Sequence, residues 1–247
     1  EAASVRRRSR ERLRLTDTLS PLAGAVIAFD LDGTLVDTAP DLIGTLNLLL
    51  QEEGVRPLPM EEARPFIGRG ARWLIERGFQ AAEAPLPPER VPELFERFIV
   101  RYHARIADES RPFPGVVEAL ETMRAAGARL CVCTNKLTGL SVSLLDALDL
   151  SRLFDAVTGA DAAPAPKPDP RHLEAAVAAA GGRLERAILV GDAATDAGAA
   201  RAAGAGLILV SFGYTEVPAR ELAPDVLIDH FEELPEACAR LLGACGA

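Results

Sequence analysis

Lysine is almost missing from this chain of 247 residues: of 27 basic residues, only Lys136 and Lys167 are not arginine. Arginine fills the other positions, so the two lysines mark places where a compact ammonium is expected to matter more than a forked guanidinium. A basic excess is missing too. The net charge of −9 argues against nucleic acid as the partner. No apolar run reaches the roughly 18 residues that span a bilayer. The four cysteines, Cys131, Cys133, Cys238 and Cys245, form no Cys-x-x-Cys pair, and a metal clip would need more ligands than they supply. Cys131 and Cys133 share one face of an apolar strand, which predicts core packing, and a reducing cytoplasm is the simplest setting. Histidine is sparse; His103, His172 and His230 are scattered and are expected at the surface or in helix packing.

Charge is distributed unevenly. Residues 1–14 carry six Arg against two Glu, a local +4, which leaves −13 on the remainder. This start lacks the apolar core of a secretory signal, so residues 1–20 read as a basic N-terminal extension, most simply a solvated tail. The chain begins at Glu1 rather than Met, which leaves room for a start further upstream.

Short apolar runs at 25–29, 129–134, 187–191, 206–212 and 226–228 read as buried strands, with a weaker one at 154–159. Helical patterns lie between them, at 115–127, 139–150, 170–181, 195–204 and 231–243, several closing on Gly. Alternation of this kind predicts an α/β fold: a Rossmann-like, doubly wound parallel sheet. Residues 39–112 break the alternation. They have helical periodicity, Pro-rich joints and no convincing strand, and read as an inserted helical segment of about 70 residues. The core is then 21–38 plus 113–247.

The first strand runs straight into "DLDGTLVDT". Asp-Gly is ordinary turn chemistry, but it does not explain Asp30, which ends the strand. Asp30 and Asp32, at i and i+2, are expected to point the same way. Like charges this close repel, and burial adds a desolvation cost, unless a cation or a reaction needs them. Ligands of doubly wound sheets bind at the carboxyl ends of the strands. There this chain places "DLDGT", "TNK" at 134–136, the loop with Lys167, and "GDAATD" with Asp192 and Asp196. Hard oxygen ligands suit Mg²⁺; Thr and Lys suit a phosphate.

These four segments, in this order, resemble the motifs of the haloacid dehalogenase superfamily of phosphohydrolases, and the insert at 39–112 resembles the small α-helical cap domain that one branch carries between its first and second motifs. "FIGRGARWLIERGF" in the insert and "GYT" at 213–215 look most like its phosphoglycolate phosphatases. The resemblance implies a Mg²⁺-dependent phosphomonoester hydrolase whose substrate is a small phosphorylated metabolite, foremost 2-phosphoglycolate, in a cytoplasmic monomer or homodimer. Asp30 would be the nucleophile that becomes an aspartyl phosphate, and Asp32 the general acid and base. Asp30, the backbone carbonyl of Asp32, and Asp192 would hold the metal, with Asp196 in support. Thr134, Asn135 and Lys167 would cradle the phosphoryl oxygens. Arg69, between two glycines in the insert, is a candidate partner for a substrate carboxylate, and Lys136 reads either as a supporting charge or as a helix-start residue. Two positions depart from the family pattern: Ala193 where relatives often carry Ser, and Asp169 where phosphoglycolate phosphatases often carry His. The alternatives are a sugar-phosphate phosphatase, a β-phosphoglucomutase-like enzyme and, from another class, a non-catalytic binding protein on the same fold.

Overall fold

The computed structural model describes residues 18–244. Most of the basic extension expected at 1–20, and Cys245, lie outside these residues. Six parallel strands form one sheet in the order β5-β4-β1-β6-β7-β8: β1 (Val26–Phe29), β4 (Arg129–Cys133), β5 (Ala156–Thr158), β6 (Ala187–Gly191), β7 (Gly206–Val210) and β8 (Val226–Ile228). All six expected strands are present, with ends shifted by two residues or fewer.

Central strands are continuously apolar because both faces are buried. In β1 every residue is fully buried. Ile27 and Phe29 join one apolar layer with Val132, Val190 and Val210. Val26 and Ala28 join the opposite layer with Cys131, Cys133 and Leu189. The two cysteines therefore share a face, as their spacing predicts.

Local signals set the helix ends. Asp169 accepts the Arg171 N–H at 3.0 Å and caps the helix Pro170–Ala179, which opens on proline. Gly204 closes Ala194–Ala203 in the left-handed region, at φ 68°.

The segment that breaks the alternation is helical: Ala39–Glu52, Ala71–Ala81 and Val91–Ala104 are its main elements, and their apolar faces make a third buried cluster. It leaves and re-enters the sheet domain through a two-stranded antiparallel ribbon, β2 (Val36–Asp37) with β3 (Arg111–Pro112). No strand is expected in this region from sequence, and two residues carry no readable period. Asp41, fully buried, accepts Ser110 N–H at 2.8 Å and the Ser110 hydroxyl at 2.6 Å, tying the first helix of the insert to its exit. Among the described residues no helix is long and apolar enough to cross a membrane.

Candidate active site

Strands β4, β1 and β6 are neighbours, and the chain reverses its winding direction about β1. A crevice opens at such a switch point, at the carboxyl ends of the strands. Asp30 follows β1, Thr134, Asn135 and Lys136 follow β4, and Asp192 follows β6. Lys167 arrives from the loop after β5, and Asp196 from the first turn of Ala194–Ala203.

Asp30, Asp192 and Asp196 are buried, with one carboxylate oxygen from each within 4.8 Å of the others. The Lys167 ammonium stands between two of them, 3.1 Å from Asp30 Oδ1 and 2.7 Å from Asp196 Oδ1. Burial pushes the Asp30 carboxyl up to about 6; Lys167 pulls the other way, and Asp196 and Asp32 push further up. Burial raises Asp192 as well, followed by the charges of Asp196 and Asp30. Burial works against the Lys167 charge, but Asp196 and Asp30 outweigh it and hold its pKa above the ordinary value. Three carboxylates around one ammonium remain rich in negative charge, which suits a hard cation.

Backbone and hydroxyl donors orient the group. Asp192 Oδ1 accepts from Thr34 Oγ1 at 3.2 Å, and Oδ2 from Tyr214 N–H at 2.7 Å. Asp196 Oδ2 accepts the N–H groups of Asp192 and Ala193, at 3.2 and 3.0 Å. Gly33, at φ +81°, passes so close that a Cβ there would lie 2.6 Å from Asp192 Oδ2. The Asp-Gly step is thus more than a turn signal: only glycine lets the loop after β1 pack on this carboxylate.

Asp32 behaves differently from Asp30. The spacing predicts parallel carboxylates, but β1 ends at Phe29 and the chain then turns, so strand alternation does not reach Asp32. Its two oxygens accept from Lys136 Nζ at 2.8 and 3.0 Å. Lys136 is therefore a buried partner of Asp32 and not a helix-start residue, since the following helix begins at Thr138. Asp30 and Asp32 nevertheless line one cavity of about 230 Å³ beneath the helical segment.

Thr134 Oγ1 accepts the Lys136 N–H at 3.3 Å, which leaves its hydroxyl hydrogen to donate elsewhere. Asn135 is already occupied. Its amide donates to Gly68 O (3.0 Å) and Lys167 O (3.1 Å) and accepts Lys167 N–H (2.9 Å). The side chain fixes the Lys167 loop and ties it to the insert, so any contact of Asn135 with a phosphoryl oxygen falls to its backbone. Arg69 lines the cavity from the insert but is exposed, with its guanidinium 4.8 Å over the Trp73 ring.

The site roles of two residues escaped sequence reasoning. His172 is fully buried behind Lys167: Nδ1 accepts the Lys167 N–H at 3.2 Å, and Nε2 faces Thr158 O at 3.2 Å. That pairing fits the neutral ring, and burial together with the Lys167 charge pushes its pKa down to about 4. Its position five residues after Lys167 was the available signal. Tyr214 is the other. Besides its N–H to Asp192, its hydroxyl donates to Asp37 in β2 at 2.5 Å and accepts the Ala39 N–H at 3.1 Å. It joins the carboxylate cluster to the ribbon that leads into the insert.

Doubly wound sheet, helical insert after the first strand, and carboxylates with a lysine at the sheet edge together define the class: a Rossmann-like α/β protein with an enzyme-like site at the carboxyl ends of its strands. The model of the haloacid dehalogenase-like hydrolases matches residues 27–210, and the chain belongs to that family. Its relatives make it a phosphatase. It is 60% identical over 230 residues to a phosphoglycolate phosphatase of Caulobacter vibrioides, covering 93% of this chain and 97% of that one. It is 46% identical over 229 residues to a phosphoglycolate phosphatase of Agrobacterium fabrum, covering 93% and 97%. Among solved structures it resembles a predicted phosphoglycolate phosphatase from Haemophilus somnus, with a TM-score of 0.81 and 29% identity over 87% of this chain and 98% of that one. CbbY from Rhodobacter sphaeroides, in complex with phosphate, matches with a TM-score of 0.73 and 27% identity over 85% and 96%.

Proposed function

We propose that the protein hydrolyses 2-phosphoglycolate to glycolate and phosphate through an aspartyl phosphate on Asp30. One observation carries the reading: the two aspartates of the "DLDGT" loop share a cavity but have different partners. Asp30 sits with the carboxylate cluster and Lys167, whereas Asp32 is held apart on Lys136. A nucleophile and a separate proton carrier need that division.

In this reading Asp30 attacks the phosphorus atom and the ester oxygen leaves. Asp32 gives that oxygen a proton, then takes one from the water that hydrolyses the aspartyl phosphate. Lys167 and the Thr134 hydroxyl stabilise charge on the phosphoryl oxygens, which carry most of it in the transition state. The donor set fits Mg²⁺: Asp30, Asp192 and the backbone carbonyl of Asp32 would hold it, with Asp196 in support, and it would supply positive charge against the phosphoryl oxygens. The helices of 39–112 would act as a cap that excludes water. The three free buried cysteines, Cys131, Cys133 and Cys238, keep a reducing cytoplasm as the proposed setting.

A panel of small phosphate esters, ranked by kcat/KM with and without Mg²⁺, tests this. 2-Phosphoglycolate should head the ranking and the activity should require the metal. A sugar phosphate at the head would reassign the substrate. Absence of turnover on every ester, an activated aryl phosphate included, would make the protein a binding module.

A further inference from the structure

Lys136 has a second feature besides its pairing with Asp32. Its side chain is only 4% exposed, yet it belongs to the cavity wall. The ammonium stands 4.5 Å over the ring centroid of Tyr102, so an aromatic face backs it on one side while Asp32 takes two of its bonds. Tyr102 is itself fully buried. The charge is thus fixed in place within the cavity, unlike that of a lysine on a free stem.

Position relative to the reaction gives this charge a consequence. If Asp32 protonates the leaving oxygen, that oxygen comes within hydrogen-bonding distance of Asp32. A group on the carbon next to the leaving oxygen is then only two bonds away, and it falls beside Lys136 as well. Once Asp32 has given up its proton it is an anion and would repel a carboxylate at that place; with Lys136 between them, both anions share one ammonium. The other cations of the wall are stacked on aromatic rings of the insert. Arg69 lies over Trp73, and Arg72 lies 4.6 Å over the Phe95 ring. Much of the remaining wall is apolar, with Leu74, Phe98 and Leu140. A carboxylate finds its short-range partner at Lys136.

We propose that Lys136 is the specificity-determining residue for the substrate's carboxylate, and that it selects phosphate esters whose carboxylate sits on the carbon next to the ester oxygen. The inference rests on the phosphoglycolate reading and moves the main carboxylate contact from Arg69 to Lys136.

The test compares 2-phosphoglycolate with ethyl phosphate, the same skeleton without the carboxylate, in the parent enzyme, Lys136→Met and Arg69→Ala. Lys136→Met should slow both substrates, because Asp32 loses its partner. The preference for phosphoglycolate, as a ratio of kcat/KM values, should fall by a further factor on the order of 10–10², the range for a hydrogen bond to a charged group. Arg69→Ala should move that ratio far less. Equal losses on the two substrates in Lys136→Met would overturn the inference and leave Lys136 as a positioning residue for Asp32. Should Lys136→Met fail to fold, the parent enzyme decides with the phosphate ester of 3-hydroxypropionate, whose carboxylate lies one carbon further out. It should lose most of the advantage over ethyl phosphate, and keeping it would refute the placement. If the parent enzyme shows no preference for phosphoglycolate over ethyl phosphate, the substrate reading itself fails, and the inference falls with it.

Discussion

Replacing Lys167 separates charge from shape at the centre of the site. Its side chain is fully buried, with Nζ 3.1 Å from Asp30 and 2.7 Å from Asp196. Lys167→Met leaves two buried carboxylates facing each other. Breaking a buried pair costs roughly 3–5 kcal/mol. A chain of this size loses about 2–4 °C of Tm per kcal/mol, so the metal-free variant should melt roughly 6–20 °C below the parent. Proton uptake by the carboxylates moves the loss towards the lower end. Lys167→Arg keeps the charge but forces a wider, planar group between oxygens spaced for an ammonium; overpacking of this kind costs roughly 1–3 kcal/mol. Melting should therefore rank parent, Arg, Met. Activity should not follow that order. Both variants should lose at least about 10² in kcat/KM at saturating Mg²⁺, because neither holds a compact charge where the phosphoryl oxygens arrive. Thermal melts and steady-state kinetics on purified protein measure both. An Arg variant with most of the parental kcat/KM would refute the geometric argument and reduce the scarcity of lysine to composition.

Asp30→Asn should abolish turnover while the metal-free protein melts no lower than the parent, since it removes one of the crowded carboxylates; normal turnover would end the proposed mechanism. Asp32→Asn should slow the cycle by on the order of 10²–10⁴, read as kcat. Asp30 has a raised pKa, so the stability it contributes is full below its ordinary value of 3.8 and is lost as pH rises through about 6. Mg²⁺ needs the ionised form, and the Tm gain on adding it should be larger at high pH than at low; an equal gain at both would contradict this. His172 has a depressed pKa: its stability is present above 6.5 and lost as pH falls towards about 4, a difference of about 3 kcal/mol that urea titrations of the parent and His172→Gln should resolve.

The elements legible in the sequence are those whose signal is local. β1, β4 and β6 read clearly because burial on both faces makes them continuously apolar. β5 sits at the sheet edge with two half-buried residues, and its pattern is correspondingly weak. The ribbon of β2 and β3 was invisible, since strands of two residues have no period and their pairing joins positions far apart in the chain. Asp41 escaped for the same reason: its partners are 68 and 69 residues away.

The site divides along this line too. Four polar clusters at strand ends were legible because strand ends of a doubly wound sheet converge, but which polar group meets which was not. By spacing alone Asp30 and Asp32 were expected to point the same way, and the turn after Phe29 sent them to different lysines. Lys136 read either as a supporting charge or as a helix-start residue until its partner, 104 residues away, was known. The scarcity of lysine marked both positions without saying why. The structure supplies the common reason: each of the two ammonium groups is buried against a carboxylate at the same cavity, one at the proposed nucleophile and one at the proposed proton carrier. Where every other Lys or Arg position holds arginine, lysine at both carboxylates points to one constraint, room for a substrate anion beside each charge, and a guanidinium would fill that room itself.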